Sequence, residues 1–131
     1  ADAEGLFDIK SPRVVMAGAH VDIEDYKMFI TDFSSFVFDF AYLCRPVLYF
    51  VPDYGQFKAG MNHYRELDLP FEEAFGPLVL DPDGAVEEIK KAAENGFDPE
   101  PIYAERMRNF YYPLENCAEA LYNEVSSWDC L

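Results

Sequence analysis

Hydrophobic positions fall into short unbroken runs in the first half of the chain and into helical periods in the second. Val14-Val15-Met16-Ala17-Gly18 and Met28-Phe29-Ile30-Thr31 are of strand length and rich in β-branched or aromatic residues, so two strands are predicted there. Asp32-Phe33-Ser34-Ser35 supplies helix-capping residue types. Phe36 to Leu43 is then apolar at almost every position except Asp39, which predicts a capped turn into a buried helix. Arg45-Pro46 stops that helix, and Val47-Leu48-Tyr49-Phe50-Val51 is apolar throughout, the pattern of a parallel strand covered on both faces. Strand, helix and strand in this order make a βαβ unit.

Pro52 to Phe75 is polar and aromatic without a clear period, long enough in a compact domain to be a functional loop. Pro77-Leu78-Val79-Leu80 predicts a further short strand, and Asp81-Pro82-Asp83-Gly84 a turn into a helix. That helix is expected to bury Val86, Ile89, Ala92 and Ala93, to pair Glu87 with Lys91 four residues on, and to end at Asn95-Gly96. Pro101 opens a second helix with Ile102, Tyr103, Met107 and Phe110. Pro113 opens a third with Leu114, Cys117, Ala118, Leu121, Tyr122 and Val125 on one stripe. Residues 1–12 have no sustained period and read as a leader or boundary, leaving 13–131 as a single α/β domain.

Composition supports a folded piece: 131 residues suit one domain, and half of them are hydrophobic, enough for a real core. Charge narrows the partners. Ten Lys/Arg against 25 Asp/Glu give −15, which argues against nucleic acid or an anionic membrane surface, because phosphate binding is dominated by Lys and Arg. No run approaches the roughly 18 apolar residues of a membrane span, and no direct membrane contact is expected of this chain. Cys44, Cys117 and Cys130 are an odd number at wide spacing, and His20 and His63 stand in no metal-ligand spacing. Neither a disulfide framework nor a metal site is therefore predicted, and a reducing, cytoplasmic setting is expected.

The chemistry concentrates at Thr31 to Ser35. Ligands of open α/β sheets bind beyond the carboxyl ends of the strands, where a helix N-terminus offers free N–H groups. Thr31, Asp32, Ser34 and Ser35 lie at such a place, and the hydroxyls add neutral donors for a phosphate or diphosphate. Asp32 or Ser34 serving only as a helix cap is the alternative, and spacing alone leaves it open. Asp39 interrupts an apolar helix, so a structural role accepting hydrogen bonds from a neighbouring loop stands beside a functional one. Arg45 reads either as a phosphate contact or as a cap on the carboxyl end of its helix. Tyr49, Phe50, Asp53, Tyr54 and Phe57 read as pocket lining or as core.

Ile30-Thr31-Asp32-Phe33-Ser34-Ser35, then Phe38-Asp39-Phe40-Ala41, then Arg45-Pro46-Val47-Leu48-Tyr49-Phe50, with Asp53 and Tyr54 after it, resembles the C-terminal part of the CDP-glycerol glycerophosphotransferase family. There the runs read I-T-D-Y-S-S, F-D-Y or F-D-F, and K-P-[VI]-I-[FY]-[FY]. The likeness extends from about Val21 to Tyr112. Asn62-His63-Tyr64 falls where the family often has Gly-Phe-Tyr, Gly76-Pro77-Leu78-Val79 resembles its Pro-Gly-Pro-[IV]-[VI], and Ala85 to Ile89 resembles its following helix.

The resemblance implies the partial, Rossmann-like C-terminal half of a GT-B-type fold: a parallel sheet of short strands, helices on both faces and a helical C-terminus. It implies a transferase that moves glycerol phosphate from CDP-glycerol to a lipid-linked teichoic-acid-like or capsular polymer, with Thr31, Asp32, Ser34 and Ser35 at the donor. Asp39, Arg45, Asp53 and His63 are secondary candidates. The family's catalytic histidines sit in T-W-H-G-like and R-x-H-P-like motifs, and neither occurs in these 131 residues. The catalytic base and the acceptor contact are thus expected in an absent half, and the resemblance implies a parent enzyme peripheral at the inner face of the cell membrane. At −15, that half should be basic, or Mg²⁺ should help with the donor charge. Two other readings remain: a GT-B glycosyltransferase using another nucleotide sugar, and a non-catalytic acidic interaction module of the same fold.

Overall fold

The structure is a computed structural model and describes residues 11–14, 21–59, 67, 69–111 and 116–128. A 3-10 turn at Ile23–Asp25 leads into β1 (Phe29–Thr31), α1 (Val37–Tyr42), β2 (Val47–Phe50), α2 (Tyr54–Lys58), β3 (Leu78–Val79), α3 (Pro82–Glu94), α4 (Pro101–Phe110) and α5 (Cys117–Ser127). The strands form one parallel sheet in the order β1-β2-β3. Phe29 stands opposite Val47, Thr31 opposite Tyr49, and Tyr49 opposite Leu78. This is the α/β arrangement of parallel strands and helices that the hydrophobic pattern predicts, and it is consistent with the partial Rossmann-like fragment that the resemblance implies. The boundary expected at 1–12, the strand expected at 14–18, and the opening of the last helix at Pro113 lie wholly or mostly outside the described residues.

Side chains alternate across a strand, so the register decides what each face buries. Val47, Tyr49 and Val51 share one face and pack with Val37, Phe40 and Ala41 of α1, Phe71, Ala74 and Phe75 of the following loop, and Met107 of α4. Leu48 lies on the other face, fully buried, and α3 packs on β2 and β3. Each such aliphatic or aromatic side chain contributes about 1.5–3 kcal/mol on burial, which makes β2 the mechanical centre of the domain.

Several sequence expectations are corrected. In α1 the inward positions are Val37, Phe40 and Ala41, spaced i, i+3, i+4; Asp39 therefore points outward and is exposed, not a buried carboxylate served by a loop. Arg45 does not cap α1. Its Nη1 donates to the carbonyls of Ile23 at 2.9 Å and Glu24 at 2.8 Å, and to that of Tyr26, pinning the 3-10 turn beside the sheet. In α3 the inward stripe is rotated by one residue. Ala85 is buried and Ile89 and Ala92 are half-buried, while Val86 and Ala93 are exposed. Lys91 pairs with Glu88, not Glu87. The stretch from Pro52 is not all loop, since α2 forms within it.

Gly76 explains how the chain re-enters the sheet. A Cβ there would lie 1.8 Å from the Val47 carbonyl oxygen, so only glycine lets the backbone pass close enough for Tyr49 N–H to bond the Pro77 carbonyl at 2.9 Å.

Candidate functional site

Parallel strands put all their carboxyl ends at one edge, and three connections meet there: Thr31 to Ser35 after β1, Val51 to Tyr54 after β2, and Leu80 to Gly84 after β3. Thr31 ends β1 and is 9% exposed, forming the floor of its loop; Asp32, Ser34 and Ser35 are exposed above it. Ser34 Oγ accepts from Phe36 N–H at 3.2 Å. Val37, Phe38 and Asp39 N–H donate to the carbonyls of Ser34, Ser35 and Phe36 in 3-10-like turns.

These turns revise the electrostatics expected of the loop. The first residues of α1 already use their amides, α1 is only six residues long, and no side chain caps it. The donors left are the amides of Phe33, Ser34 and Ser35, which serve no acceptor among the described residues, together with the two serine hydroxyls. The loop itself, not a helix dipole, is what can face an anion. After β3 the corresponding place is closed: Asp81 accepts from Gly84 N–H at 2.9 Å and caps α3 with its own carboxylate.

Asp53 lies at the same edge, exposed, with its carbonyl accepting from Gln56 and Phe57 N–H and no side-chain cap on α2. The other candidates lie apart. Asp39 faces solvent along α1, where its charge helps raise the pKa of Tyr111, after the larger effect of burial. Arg45 precedes β2, at the opposite edge, and is committed to three carbonyls. His63 lies outside the described residues. No three His, Cys, Asp or Glu side chains converge as a metal-binding group among the described residues.

Sequence reasoning missed the support of the loop. Phe33 stacks on Phe57 of α2 with centroids 4.5 Å apart, and Phe71 reaches Phe33 at 6.0 Å, Tyr54 at 5.2 Å and Tyr49 at 5.1 Å. Lys58 Nζ sits 4.8 Å from the Tyr54 ring centroid, bringing a cation to this group. The available signal was the recurrence of aromatics at 54, 57 and 71 in a segment with no period. Below them Tyr49 is 5% exposed; burial pushes its phenol up to about 12, against a weaker opposing influence of the Phe75 backbone, and its hydroxyl has no hydrogen-bond partner among the described residues.

A cavity of about 330 Å³ opens at the other, amino-terminal edge, between Met28, Pro46 and Pro77 at the strand starts and Lys91, Asn95 and Tyr103. It touches none of the residues of the Thr31 to Ser35 loop. Among the described residues no helix is long and apolar enough to cross a membrane.

Comparison with known proteins supports the family resemblance. The chain is 42% identical over 78 residues to the teichoic acid poly(glycerol phosphate) polymerase of Bacillus subtilis (strain 168), covering 56% of this chain and 10% of that protein. It is 30% identical over 102 residues to the minor teichoic acid biosynthesis protein GgaB of the same organism, covering 76% of this chain and 11% of that one. The chain thus spans about a tenth of the length of these relatives. No solved structure matches it. Residues 8–127 match the family described as CDP-Glycerol:Poly(glycerophosphate) glycerophosphotransferase, and with nearly its whole length inside that match the chain belongs to this family.

Proposed function

We propose that this chain is the donor-phosphate-binding part of a transferase that moves glycerol phosphate from CDP-glycerol to a growing teichoic-acid-like polymer and releases CMP. The observation that carries the reading is the Thr31 to Ser35 loop: exposed serine hydroxyls, and amides with no acceptor among the described residues, at the carboxyl edge of a parallel sheet, in a member of this family. Two relatives whose names place them in teichoic acid biosynthesis support the polymer.

In the proposed reaction an acceptor hydroxyl oxygen attacks the β-phosphorus of CDP-glycerol in line with the leaving CMP. One P–O bond forms, the bridging P–O bond breaks, and the acceptor proton passes to a base outside these 131 residues, which carry neither of the family's histidine motifs. The amides of Phe33 to Ser35 and the hydroxyls of Ser34 and Ser35 hold the phosphoryl oxygens, with Thr31 beneath and Asp32 on the glycerol side. Asp53 borders the loop from β2. The chain's −15 charge repels both donor and polyanionic acceptor, and a Debye length of about 8 Å at physiological salt confines that repulsion to short range. Basic groups elsewhere in the protein, or a divalent cation such as Mg²⁺, would offset the remainder. The lipid-linked acceptor places the whole enzyme at the cytoplasmic face of the membrane.

Isothermal titration of the chain with CDP-glycerol tests the reading. Joint Ser34→Ala and Ser35→Ala substitution is expected to weaken binding by about a hundredfold or more, two lost charge-assisted hydrogen bonds. Unchanged affinity in the double variant, or no binding of CDP-glycerol by the native chain, contradicts it.

A further inference from the structure

Two half-exposed phenylalanines flank the serine pair of the loop, Phe33 at 38% and Phe36 at 37% exposure. Their surroundings differ. Phe36 meets Phe29 and Phe40 edge-on, at 5.7 and 6.0 Å with planes 74° and 66° apart, as a side chain at the rim of a core does. Phe33 lies flat on Phe57, 17° from parallel at 4.5 Å, and Phe57 in turn lies 21° from parallel to Tyr54 at 6.1 Å. Phe71 closes on Phe33 from the side, 47° out of plane. The Phe33 ring is therefore fixed from behind by a helix and a loop remote in sequence. Phe57 stacks on one face, and the residue as a whole stays 38% exposed beside the serine pair.

We infer that the face of Phe33 turned away from Phe57 is the stacking platform for the base of the nucleotide donor, with Phe57 as a positioning residue behind it. The inference rests on the donor reading above and adds which residue takes the base. Consecutive Cα atoms are about 3.8 Å apart, so one loop presents a flat apolar ring and, at the next residues, the hydroxyls and amides for phosphate. A nucleotide has the same two chemistries side by side. Stacking on an aromatic ring is tolerant of base identity and contributes about 5- to 100-fold in affinity. It needs no positive charge, which suits a chain at −15.

The test is NMR titration of the 131-residue chain with CMP and with ribose 5-phosphate, which has the sugar and phosphate without the base. Both are expected to bind, CMP about tenfold tighter or more, with cytosine H5 and H6 shifted upfield by the ring current. Phe33→Leu keeps an apolar side chain against Phe57; it should bring CMP down to the affinity of ribose 5-phosphate, abolish the upfield shift and leave ribose 5-phosphate unchanged. Phe33→Tyr should restore both. Equal affinity for the two ligands, or unshifted cytosine protons on bound CMP, overturns the platform and leaves the phosphate loop standing. If neither ligand binds, the platform and the donor reading fall together. Should Phe33→Leu fail to fold, the affinity ratio and the ring-current shift in the native chain decide alone.

Discussion

Gly76 and Tyr49 set opposite demands on the same strand. At Gly76 a methyl group would meet the Val47 carbonyl at 1.8 Å, and both atoms belong to backbone that β2 holds in register. Gly76→Ala is expected to cost about 3 kcal/mol or more in urea unfolding, and a loss under 1 kcal/mol would show that the crossing is not tight. The Tyr49 hydroxyl is buried with no hydrogen-bond partner among the described residues, so Tyr49→Phe is expected to leave stability at pH 7 unchanged or raise it by up to about 1 kcal/mol. Its pKa, raised from 10.0 to about 12, means that the folded chain keeps a proton that the unfolded chain has lost. Stability is thus undiminished below pH 10 and falls as pH rises from 10 to 12, by on the order of 2 kcal/mol. Tyr103 and Tyr111 are raised too, chiefly by burial, and add to the slope. Urea midpoints across that range should fall less steeply in Tyr49→Phe than in the native chain. The resemblance located Gly76 in the sequence, but not the carbonyl that forbids a side chain there. Asp39 and Arg45 were legible as departures from an apolar pattern, yet their partners depended on which face of α1 turned inward and on a turn some 20 residues upstream.

Elements follow the same division. β1, α1, β2, β3, α3 and α4 were all legible, because each carries either an unbroken apolar run or a helical stripe with a proline or capping residue at its start. α2 was not. Five residues complete too little of a helical period to register, and what holds Tyr54–Lys58 is the packing of Tyr54 and Phe57 against Phe33 and Phe71, which no local pattern contains. The one-residue rotation of α3 puts Ala85, with its small side chain, in the buried position and leaves Val86 47% exposed. The 3-10 turn before β1 is capped locally by Asp22, whose carboxylate accepts from Glu24 N–H, and is tied to the sheet by the distant Arg45. Arg45→Met keeps the aliphatic stem and removes the three donations, so hydrogen exchange at Asp25 and Tyr26 should quicken, with a loss of about 2 kcal/mol in global stability. Unaltered exchange would show that the turn stands without it.

At the scale of the whole molecule, half the residues are hydrophobic, yet the apolar stripe of α5 is open: Leu121, Tyr122 and Trp128 are each more than 60% exposed. The fold class, parallel order and two-sided covering came from the alternation of runs and periods. The place of the candidate loop came from the rule that open sheets use their carboxyl edge. Its working parts did not, since the 3-10-like turns that occupy the amides of α1 and the aromatic group behind Phe33 arise only when β1, α2 and residue 71 meet. The molecule also offers a rival place, the cavity at the amino edge. Amide-resolved NMR titration of the chain with CDP-glycerol, with and without Mg²⁺, separates the two most directly. Saturable shifts clustered at Asp32 to Ser35 and along α2 are the predicted result. Saturable shifts centred on Met28, Lys91 and Asn95, or none at the loop at any concentration, would contradict the assignment of donor binding to the carboxyl edge.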